Sequence, residues 1–402
     1  MDKAISWVIF ATPANPSFTS PSLARELAHE NSVIVVCQPI SILRSFGRQL
    51  SFRSRSSKPK SKGKCIEYQP LHFPERAPLI GKLLKAYGRR KLAAELNKLS
   101  TPFPASMRVV CYDSPSQFPL VGKLNEDLSV YLAIDDRTVT VWGEPIPGEI
   151  EAERKLLESV DLVICVSEPL ANTLRQRAGG RSGLKIDVLS NGYDHRLFCP
   201  ERVWEEPAEL ASKPRPRILV SGHVSERIDW DGIRGAAAMR PEWTWIFVGP
   251  ADEGMKERIG SIRAETGAEM SLFAPVSHEA VPAWIAHCDA CAVPYRLNNF
   301  TLASSPLKAI EYLASGAPLL ATRIPALEPF GDIITWVAEA DATAYATALD
   351  TLSQQERFGV EASLRHRAVQ AETWAFKATR LFEYLTITDA GRSDATSSAR
   401  KH

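Results

Sequence analysis

Short apolar runs alternate with amphipathic stretches along almost the whole chain. Apolar runs rich in Val, Ile and Leu are typical of buried strands, and the longer stretches between them have the period of helices. In the first half the predicted strands are 4–11, 32–37, 108–113, 128–134, 161–166 and 184–189. In the second half they are 218–221, 243–248, 270–273, 290–294, 317–321 and 333–337. Because strands that alternate with helices form parallel sheets, this pattern predicts an α/β protein.

A break in the pattern separates the two series of strands. Residues 200–215 are rich in Pro, Glu and Ala, a composition typical of a linker. A chain of 402 residues is also long enough for about two domains, each with its own core. The turn after the first strand, 12–22, contains no glycine and is therefore not a dinucleotide-binding fingerprint. The sequence thus predicts two α/β domains joined by a linker.

The segment 298–330 has the most informative pattern. Ser304 and Ser305 are good helix N-caps, and Pro306 suits the first helical turn, where a backbone N–H is not needed. Apolar residues then fall on one face of a short helix, which Gly316 ends. The segment therefore predicts a helix that starts after one strand and leads into the next.

The start of this helix has the chemistry of an anion-binding site. Unpaired backbone N–H groups at a helix start attract anions, and Lys308 adds a cation in the first turn. Glu311 lies about one turn further on and faces roughly the same way. These residues predict a nucleotide site, with a diphosphate at the helix start and a ribose hydroxyl on Glu311.

Charge is distributed unevenly, although the net charge is only +1. The first hundred residues contain 17 Lys and Arg against 6 Asp and Glu, whereas the rest contains 31 against 41. Arg44–Lys64 has eight basic residues and no acidic one, and Lys82–Lys91 lies on a basic helical pattern. The two elements predict contact with a polyanion or an anionic membrane surface, the alternative being a solvated loop and an ordinary helix. No nucleic-acid recognition motif accompanies them, so nucleic acid is not expected as a partner.

Seven cysteines are scattered without the spacing of a disulfide framework, which indicates a reducing compartment. Cys288 and Cys291 form a single CxxC, so a strand entering the core is expected there rather than a zinc or redox site. No stretch has the pattern of a signal peptide or the roughly 20 apolar residues of a membrane span. A soluble or peripheral protein is expected.

Seven segments occur in an order that matches a known family and extend over most of 161–385. They are DLVICVSEPL (161–170), SNGYDHRLF (190–198), RILVSGHVSERIDW (217–230), WIFVGP (245–250), APVSHEAVPAWIAHCDACAVPYR (274–296), SPLKAIEYLASGAPLLAT (305–322) and ETWAFKATRLFEYL (372–385). Together they resemble the group 1 glycosyltransferases of GT-B fold, particularly the bacterial enzymes of surface-polysaccharide and teichuronic acid synthesis. Residues 1–130 match that family in architecture only.

The resemblance implies two facing Rossmann-like domains and a C-terminal helix that crosses back to the N-terminal domain. The N-terminal domain would bind the acceptor, and the C-terminal domain would bind the nucleotide sugar. The expected boundaries are 1–199 for the N-terminal domain, 200–216 for the linker, 217–370 for the C-terminal domain, 371–387 for the crossover helix and 388–402 for a tail. The polar composition of the tail predicts disorder.

The resemblance also implies roles for individual residues. Glu311 matches the ribose-binding glutamate of the family, and the N–H groups around Ser305 to Leu307 match those that hold the diphosphate. Lys308 matches the phosphate-contacting lysine of an S-P-x-K variant, as in the xanthan glucuronosyltransferase type. Gly222 and His223 match the first turn under the phosphates, and Arg227 lies near the usual lysine. The expected donor-binding residues are Gly222, His223, Arg227, Ser304, Ser305, Pro306, Leu307, Lys308 and Glu311.

One position departs from the family pattern. The standard motif has a first glutamate eight positions before the second, and here that position is Ala303. Retaining members use the first glutamate on the donor sugar. The resemblance therefore implies neither that contact nor a retaining mechanism for this chain.

Asp135 and Asp136 follow a predicted strand, at the edge where parallel sheets bind ligands. Inverting enzymes that resemble the xanthan glucuronosyltransferase have an aspartate in a similar context, which acts as general base on the acceptor hydroxyl. The pair fits a cap of the next loop equally well, and both alternatives stay open. Asp229 and Asp231 look like a metal-binding DxD, but Asp229 is a good N-cap of the next helix. The resemblance to the GT-B fold also implies catalysis without a bound metal, so no metal and no cofactor are expected.

The resemblance implies a glycosyltransferase that moves a sugar from a UDP or GDP donor to a glycan or lipid-linked acceptor in cell-surface polysaccharide synthesis, without a metal. The alternative is a catalytically degenerate GT-B module that binds nucleotide or glycan as a scaffold or regulator. A UDP-sugar 2-epimerase of the same fold is disfavoured, because the N-terminal half lacks the dense set of carboxylates and histidines expected of one. The expected location is the cytoplasm, with peripheral attachment to the inner face of the cytoplasmic membrane through the two basic elements.

Overall fold

The structure of the protein is a computed structural model. It describes residues 5–11, 19–37, 40–41, 60–62, 64–68, 71–72, 81–101, 105–181 and 183–399. Most of the basic segment Arg44–Lys64 lies outside the described residues, as does most of the turn without glycine at 12–22. What the sequence predicts for these two segments therefore stays a prediction.

The N-terminal domain is built on an eight-stranded sheet. Its strands and those of a separate two-stranded ladder are β1 (Ile5–Ala11), β2 (Ser32–Cys37), β3 (Ile40–Ser41), β4 (Lys60–Lys62), β5 (Cys65–Tyr68), β6 (Leu71–His72), β7 (Met107–Tyr112), β8 (Leu128–Ala133), β9 (Leu162–Cys165) and β10 (Lys185–Val188). The order in the large sheet is β10-β9-β8-β7-β1-β2-β5-β4, and all its pairs are parallel except β4 with β5. The β3 strand pairs with β6.

Helices cover this sheet, which explains why its central strands read as continuous apolar runs. The helices are α1 (Thr19–Leu27), α2 (Gly81–Ser100), α3 (Glu149–Ser159) and α4 (Glu168–Arg177), with a 3-10 turn at Pro115–Leu120. Every residue of β8 is buried. The carboxyl end of β8 therefore projects the residues that follow it from a rigid, fully packed strand.

The C-terminal domain has a six-stranded parallel sheet. Its strands are β11 (Arg217–Ser221), β12 (Thr244–Val248), β13 (Met270–Phe273), β14 (Ala290–Val293), β15 (Leu319–Thr322) and β16 (Ile334–Val337). Its helices are α5 (Trp230–Met239), α6 (Glu253–Thr266), α7 (Val281–Ala286), α8 (Asn299–Leu302), α9 (Leu307–Ala314), α10 (Ala342–Gln354) and α11 (Gly359–Ala368). The strand order β13-β12-β11-β14-β15-β16 is that of a doubly wound fold.

The last helix, α12 (Trp374–Ala399), returns to the N-terminal domain. Trp374, Leu381 and Leu385 are buried in the same apolar cluster as Trp7 of β1. The ring of Phe382 meets the Trp7 ring edge-on, with the ring centres 5.6 Å apart. The predicted architecture of two parallel-sheet domains with a crossover helix is therefore confirmed.

The helix α12 differs from its prediction in length. A disordered tail was expected from 388, but the helix continues to Ala399. Extending an existing helix forms about one hydrogen bond for each residue that is fixed, so a polar segment can still prolong it. The polar composition of 388–399 is therefore compatible with a helical backbone.

Candidate active site

The order of strands in the C-terminal sheet defines where a ligand is expected. The chain first runs outward from β11 to β13 and then returns to the other side of β11 with β14. The loops that follow β11 and β14 therefore lie side by side at the carboxyl edge of the sheet. A crevice forms outside such a switch point, and it is the common ligand site of open α/β sheets.

The helix α9, which follows the loop after β14, begins one residue later than predicted. Pro306 is its N-cap, with φ −66° and ψ 100°. The prediction that Ser304 and Ser305 cap it was wrong, because both are engaged elsewhere. Ser304 Oγ donates to the carbonyl of Thr301 at 2.6 Å, and Ser305 Oγ accepts from the N–H of Asn191 at 3.2 Å. The start of α9 therefore has no side-chain cap.

The segment just before α9 also contacts the N-terminal domain. The Asn298 amide donates to the carbonyl of Val141 at 3.0 Å, and the Ser167 hydroxyl donates to the carbonyl of Ala303 at 2.5 Å. The Asn191 amide donates to the Ser305 carbonyl at 2.7 Å. The floor of the crevice is thus formed by both domains.

Ala303, where the family has its first glutamate, is buried in this contact. Its exposed fraction is 5%, and it packs in an apolar cluster of the N-terminal domain. A carboxylate at this position would be surrounded by apolar side chains, which is costly without a charged partner. The domain contact therefore provides a physical reason for alanine here.

Glu311 is the most deeply buried acidic group of the site, with 1% of its surface exposed. Its Oε1 lies 2.7 Å from His278 Nε2, and its Oε2 lies 2.7 Å from Lys308 Nζ. Burial alone would raise the pKa of Glu311, but Lys308 and His278 outweigh it and hold the pKa below its usual range. Glu311 is therefore a carboxylate with both oxygens facing polar hydrogens.

The backbone after β11 passes beside Lys308. Gly222 has φ +113°, a conformation that favours glycine, and a Cβ there would lie 3.9 Å from Lys308 Cε. A Cβ on Gly249 would lie 1.8 Å from the carbonyl oxygen of Gly222, so this close approach of two strand ends requires glycine at 249 as well. The sequence indicated Gly222 as a donor-binding residue but did not indicate Gly249.

The other two residues chosen from this loop differ in their surroundings. His223 is exposed to solvent. The Arg227 guanidinium lies 4.4 Å from the centre of the Tyr295 ring, and its Nε has no hydrogen-bond partner among the described residues. An isolated β-bridge between Ile228 and Tyr295 joins the loop after β11 to the loop after β14 at this point. Arg227 thus packs on Tyr295 and keeps one buried N–H that no described group accepts.

Asp135 and Asp136, which follow β8, have different environments. Asp136 is 6% exposed and accepts hydrogen bonds from Thr138 and, through both oxygens, from Arg177. Burial would raise the pKa of Asp136, but the bonds from Arg177 and Thr138 lower it below its usual range. Arg177 also bonds to the buried Glu153 at 2.6 Å. Asp136 is therefore part of a buried network that holds the chain in place.

Asp135, two residues after the end of β8, is half-buried. Burial raises the pKa of Asp135, and the guanidinium groups of Arg137 and Arg227 oppose that rise. Arg227 belongs to the C-terminal domain, so its influence on this carboxyl indicates that the two sides of the crevice approach each other here. Of the two aspartates, Asp135 is the one whose pKa is raised.

Two other sequence interpretations concerned metal or redox chemistry. Asp229 caps α5 by accepting from the N–H of Gly232 at 3.1 Å, as predicted, and its second oxygen accepts from the N–H of Ala340 at 2.8 Å. Cys288 and Cys291 are free, buried thiols at the entry to β14, and burial raises the pKa of Cys288 to about 12. Across the described ranges, no group of three or more His, Cys, Asp or Glu side chains is arranged to hold a metal ion.

Three contacts of the site have no signal in the sequence. His278 lies 33 positions before Glu311, and Ser167 and Asn191 reach the segment before α9 from the other domain. Neither helical nor strand periodicity relates such distant positions. All three lie within segments that match the family, so the resemblance selected the regions and not the residues.

A cavity of about 210 Å³ lies apart from this crevice. It is lined by Cys199, by Trp204 of the linker, by Pro282, and by Phe358 and Ala362 near α11. None of the predicted donor-binding residues lines it.

Comparison with known proteins gives the class of the chain. The model of the group 1 glycosyl transferases matches residues 216–355. The protein TuaH of Bacillus subtilis, named for a glycosyltransferase role in teichuronic acid biosynthesis, is 26% identical over 295 residues, which cover 66% of this chain and 71% of TuaH. The MMP alpha-(1->4)-mannosyltransferase of Mycolicibacterium hassiacum is 23% identical over 269 residues, or 64% of this chain and 62% of that protein.

Solved structures share the whole fold at low sequence identity. The sucrose-phosphate synthase from Thermosynechococcus elongatus superposes with a TM-score of 0.71 at 16% identity, over 96% of this chain and 99% of that one. The trehalose-6-phosphate structure from E. coli bound with UDP-2-fluoro glucose has a TM-score of 0.69 at 11% identity, over 94% and 98% of the two chains. This similarity, which covers both domains, shows that the chain has the GT-B fold.

These findings define a class of enzyme. Residues 216–355 match the group 1 glycosyl transferase family, and the chain as a whole has the GT-B fold. The resemblance stated from the sequence is confirmed for the domain at 216–355 and for the fold.

Proposed function

We propose that this protein transfers a glycosyl group from a UDP- or GDP-sugar to a glycan or lipid-linked acceptor in the synthesis of a cell-surface polysaccharide. The observation that carries the proposal is the buried Glu311 carboxylate, held between His278 and Lys308 at the start of α9. The similarity to TuaH, named for teichuronic acid biosynthesis, supports a surface polysaccharide as the product.

The donor nucleotide would occupy the crevice at the switch point of the C-terminal sheet. Its ribose would bind to Glu311, and its diphosphate would bind to the N–H groups of Leu307 and Lys308 at the uncapped helix start. The Lys308 ammonium and the Arg227 guanidinium would contact the phosphates. Gly222 would let the backbone approach them, and the exposed His223 lies next to it on the same loop.

We assign the role of general base to Asp135. Its carboxylate would take the proton of the acceptor hydroxyl while the hydroxyl oxygen attacks the anomeric carbon of the donor sugar. The bond from that carbon to the diphosphate oxygen breaks, and the nucleoside diphosphate leaves with the bonding electrons. A single displacement of this kind inverts the anomeric configuration.

The negative charge that develops on the leaving diphosphate needs stabilisation in the transition state. Lys308, Arg227 and the start of α9 would supply it as preorganised charges and dipoles, so the proposal requires no metal ion. Turnover in the presence of a chelator would support this part of the proposal, and turnover that depends on an added divalent cation would refute it.

Ala303 is the observation that favours the second candidate, a catalytically degenerate module that binds nucleotide or glycan. A panel of UDP- and GDP-sugars, incubated with lipid-linked and soluble glycan acceptors, separates the two. Release of nucleoside diphosphate that depends on an acceptor, with a glycosylated product, is the expected result. Binding of UDP or GDP without turnover of any pair would favour the degenerate module, and binding of neither nucleotide would contradict both.

We further propose that the N-terminal domain attaches peripherally to an anionic membrane surface from the cytoplasmic side. The basic segments Arg44–Lys64 and Lys82–Lys91 support this, and α2 supplies the helix predicted for the second of them. Among the helices that the structure describes, none is long and apolar enough to cross a bilayer.

Sedimentation with liposomes tests the attachment. We expect binding to vesicles that contain anionic lipid and none to neutral vesicles, with salt weakening the binding because charges of the surface are screened. The triple variant R53S/R55S/K58S should bind several-fold more weakly. Equal binding of the variant and the wild-type protein, or binding that salt does not change, would contradict the proposal.

A further inference from the structure

The two partners of Glu311 differ in mobility. Lys308 has a long flexible stem, keeps 18% of its side chain exposed and lies beside the backbone at Gly222. The His278 side chain is 9% exposed, and its ring packs against the buried Phe198 with 5.2 Å between ring centres. Lys308 can therefore turn toward an anion at the start of α9, whereas His278 is fixed in place.

The hydrogen bond between His278 and Glu311 has a defined direction. Because Glu311 is a carboxylate, it can only accept, so Nε2 of His278 must carry the proton. Each carboxylate oxygen has about two acceptor positions, and His278 occupies one of them on Oε1. The carboxylate would remain oriented after Lys308 has left.

We propose that His278 is a positioning residue of the ribose subsite and that the Lys308–Glu311 ion pair occupies this subsite until a nucleoside diphosphate arrives. This inference rests on the proposed function. When the nucleotide binds, Lys308 transfers from Glu311 to a phosphate, and the freed Oε2 accepts a ribose hydroxyl. His278 retains Oε1 and fixes the plane of the carboxylate, so that the two neighbouring hydroxyls of a ribose can bind to Glu311 together.

Because His278 orients the Glu311 carboxylate toward both ribose hydroxyls, it helps the protein to recognise the cis-diol of the ribose. Calorimetric titration of the full chain with UDP, 2′-deoxy-UDP and inorganic pyrophosphate tests it, with the GDP pair in place of the UDP pair if GDP binds more tightly. Wild-type protein should bind UDP about tenfold or more tightly than the 2′-deoxy form, because a hydrogen bond to a charged acceptor is lost. In His278→Ala this ratio should fall to within about twofold, while pyrophosphate binding stays unchanged.

Two further variants separate positioning from a general effect on folding. His278→Gln can place an amide N–H near the position of Nε2 and should recover most of the discrimination. His287→Ala is the matched control, because this half-buried histidine also makes one hydrogen bond, to the carbonyl of Trp204 at 2.8 Å, outside the crevice. It should keep the wild-type ratio.

The outcomes distinguish this inference from the proposed function. An unchanged ratio in His278→Ala, or an equal loss of UDP and pyrophosphate binding, would overturn the role of His278 and leave the donor site intact. Failure of the wild-type protein to bind either UDP or GDP would instead overturn the proposed function itself.

Discussion

Replacement of Glu311 by alanine is expected to weaken the binding of UDP or GDP by at least about 30-fold and to lower kcat/KM for the nucleotide sugar by at least as much. The substitution removes both acceptor oxygens for the ribose and leaves His278 and Lys308 without their common partner. Pyrophosphate, which has no ribose, should bind as tightly as to the wild-type protein or more tightly, since Lys308 is released. Titration calorimetry measures the affinities for UDP, GDP and pyrophosphate.

Glu269→Ala is the matched control for that experiment. Glu269 is also a carboxylate with a lowered pKa, caused by Lys213 and Ser271 against the opposing effect of burial, and it pairs with Lys213 at 2.9 Å. It directly precedes β13, at the edge of the same sheet opposite the crevice. Its replacement should leave nucleotide affinity within about twofold, as expected for an ion pair outside the site. Equal losses in both variants would mean that Glu311 acts only through the stability of the domain.

Replacement of Asp135 by asparagine is expected to lower kcat by about 10²- to 10⁴-fold, the usual contribution of a general base. Donor binding should stay within about threefold, because Asp135 lies on the acceptor side of the crevice. The pH profile of the wild-type enzyme provides a second test. A base acts as the carboxylate, so activity should fall as the pH drops through the pKa of Asp135, and burial raises that pKa above the usual value of about 4. Steady-state rates between pH 4 and 9 show where activity falls on the acidic side, which is the acidic limb of the pH profile.

The neighbouring aspartate serves as the control. Asp136→Asn breaks a buried pair with Arg177, so the free energy of unfolding should fall by about 2–4 kcal/mol. The acidic limb of the pH profile should nevertheless remain where it is. If Asp136→Asn abolished turnover in folded protein and Asp135→Asn did not, the assignment of the base would be reversed. A product with retained anomeric configuration would rule out the single displacement.

The fold could be predicted from the sequence because it follows from local patterns. Strands such as β8 and β12 are buried on both faces, so their apolar runs are continuous and easy to recognise. Gly316 ends α9 in a left-handed conformation, with φ +73°, as its position after the last apolar turn predicted. Asp229 likewise caps α5.

The errors in the site come from contacts between distant segments. Ser304 and Ser305 have the chemistry of N-caps, but Asn191 and the local turn at Thr301 engage them instead, and Pro306 takes the cap position. Tertiary contacts of this kind override local preference and leave no periodic signal.

Contacts between distant segments also explain why the two aspartates could not be distinguished from the sequence. Asp135 and Asp136 are adjacent and chemically identical, and only the fold shows that Arg177 engages the second and not the first. The role of His278 was hidden for a related reason, since its contact with Glu311 joins the segment after β13 to α9.

Hydrogen–deuterium exchange of the full chain with and without saturating UDP or GDP shows whether the nucleotide binds at the start of α9. Bound nucleotide should protect backbone amides in peptides that cover 222–228, 276–280 and 305–312. Peptides that cover 199–204 and 357–363, which line the separate cavity, should exchange at unchanged rates. Protection at that cavity with none at 305–312 would rule out a nucleotide site at the start of α9.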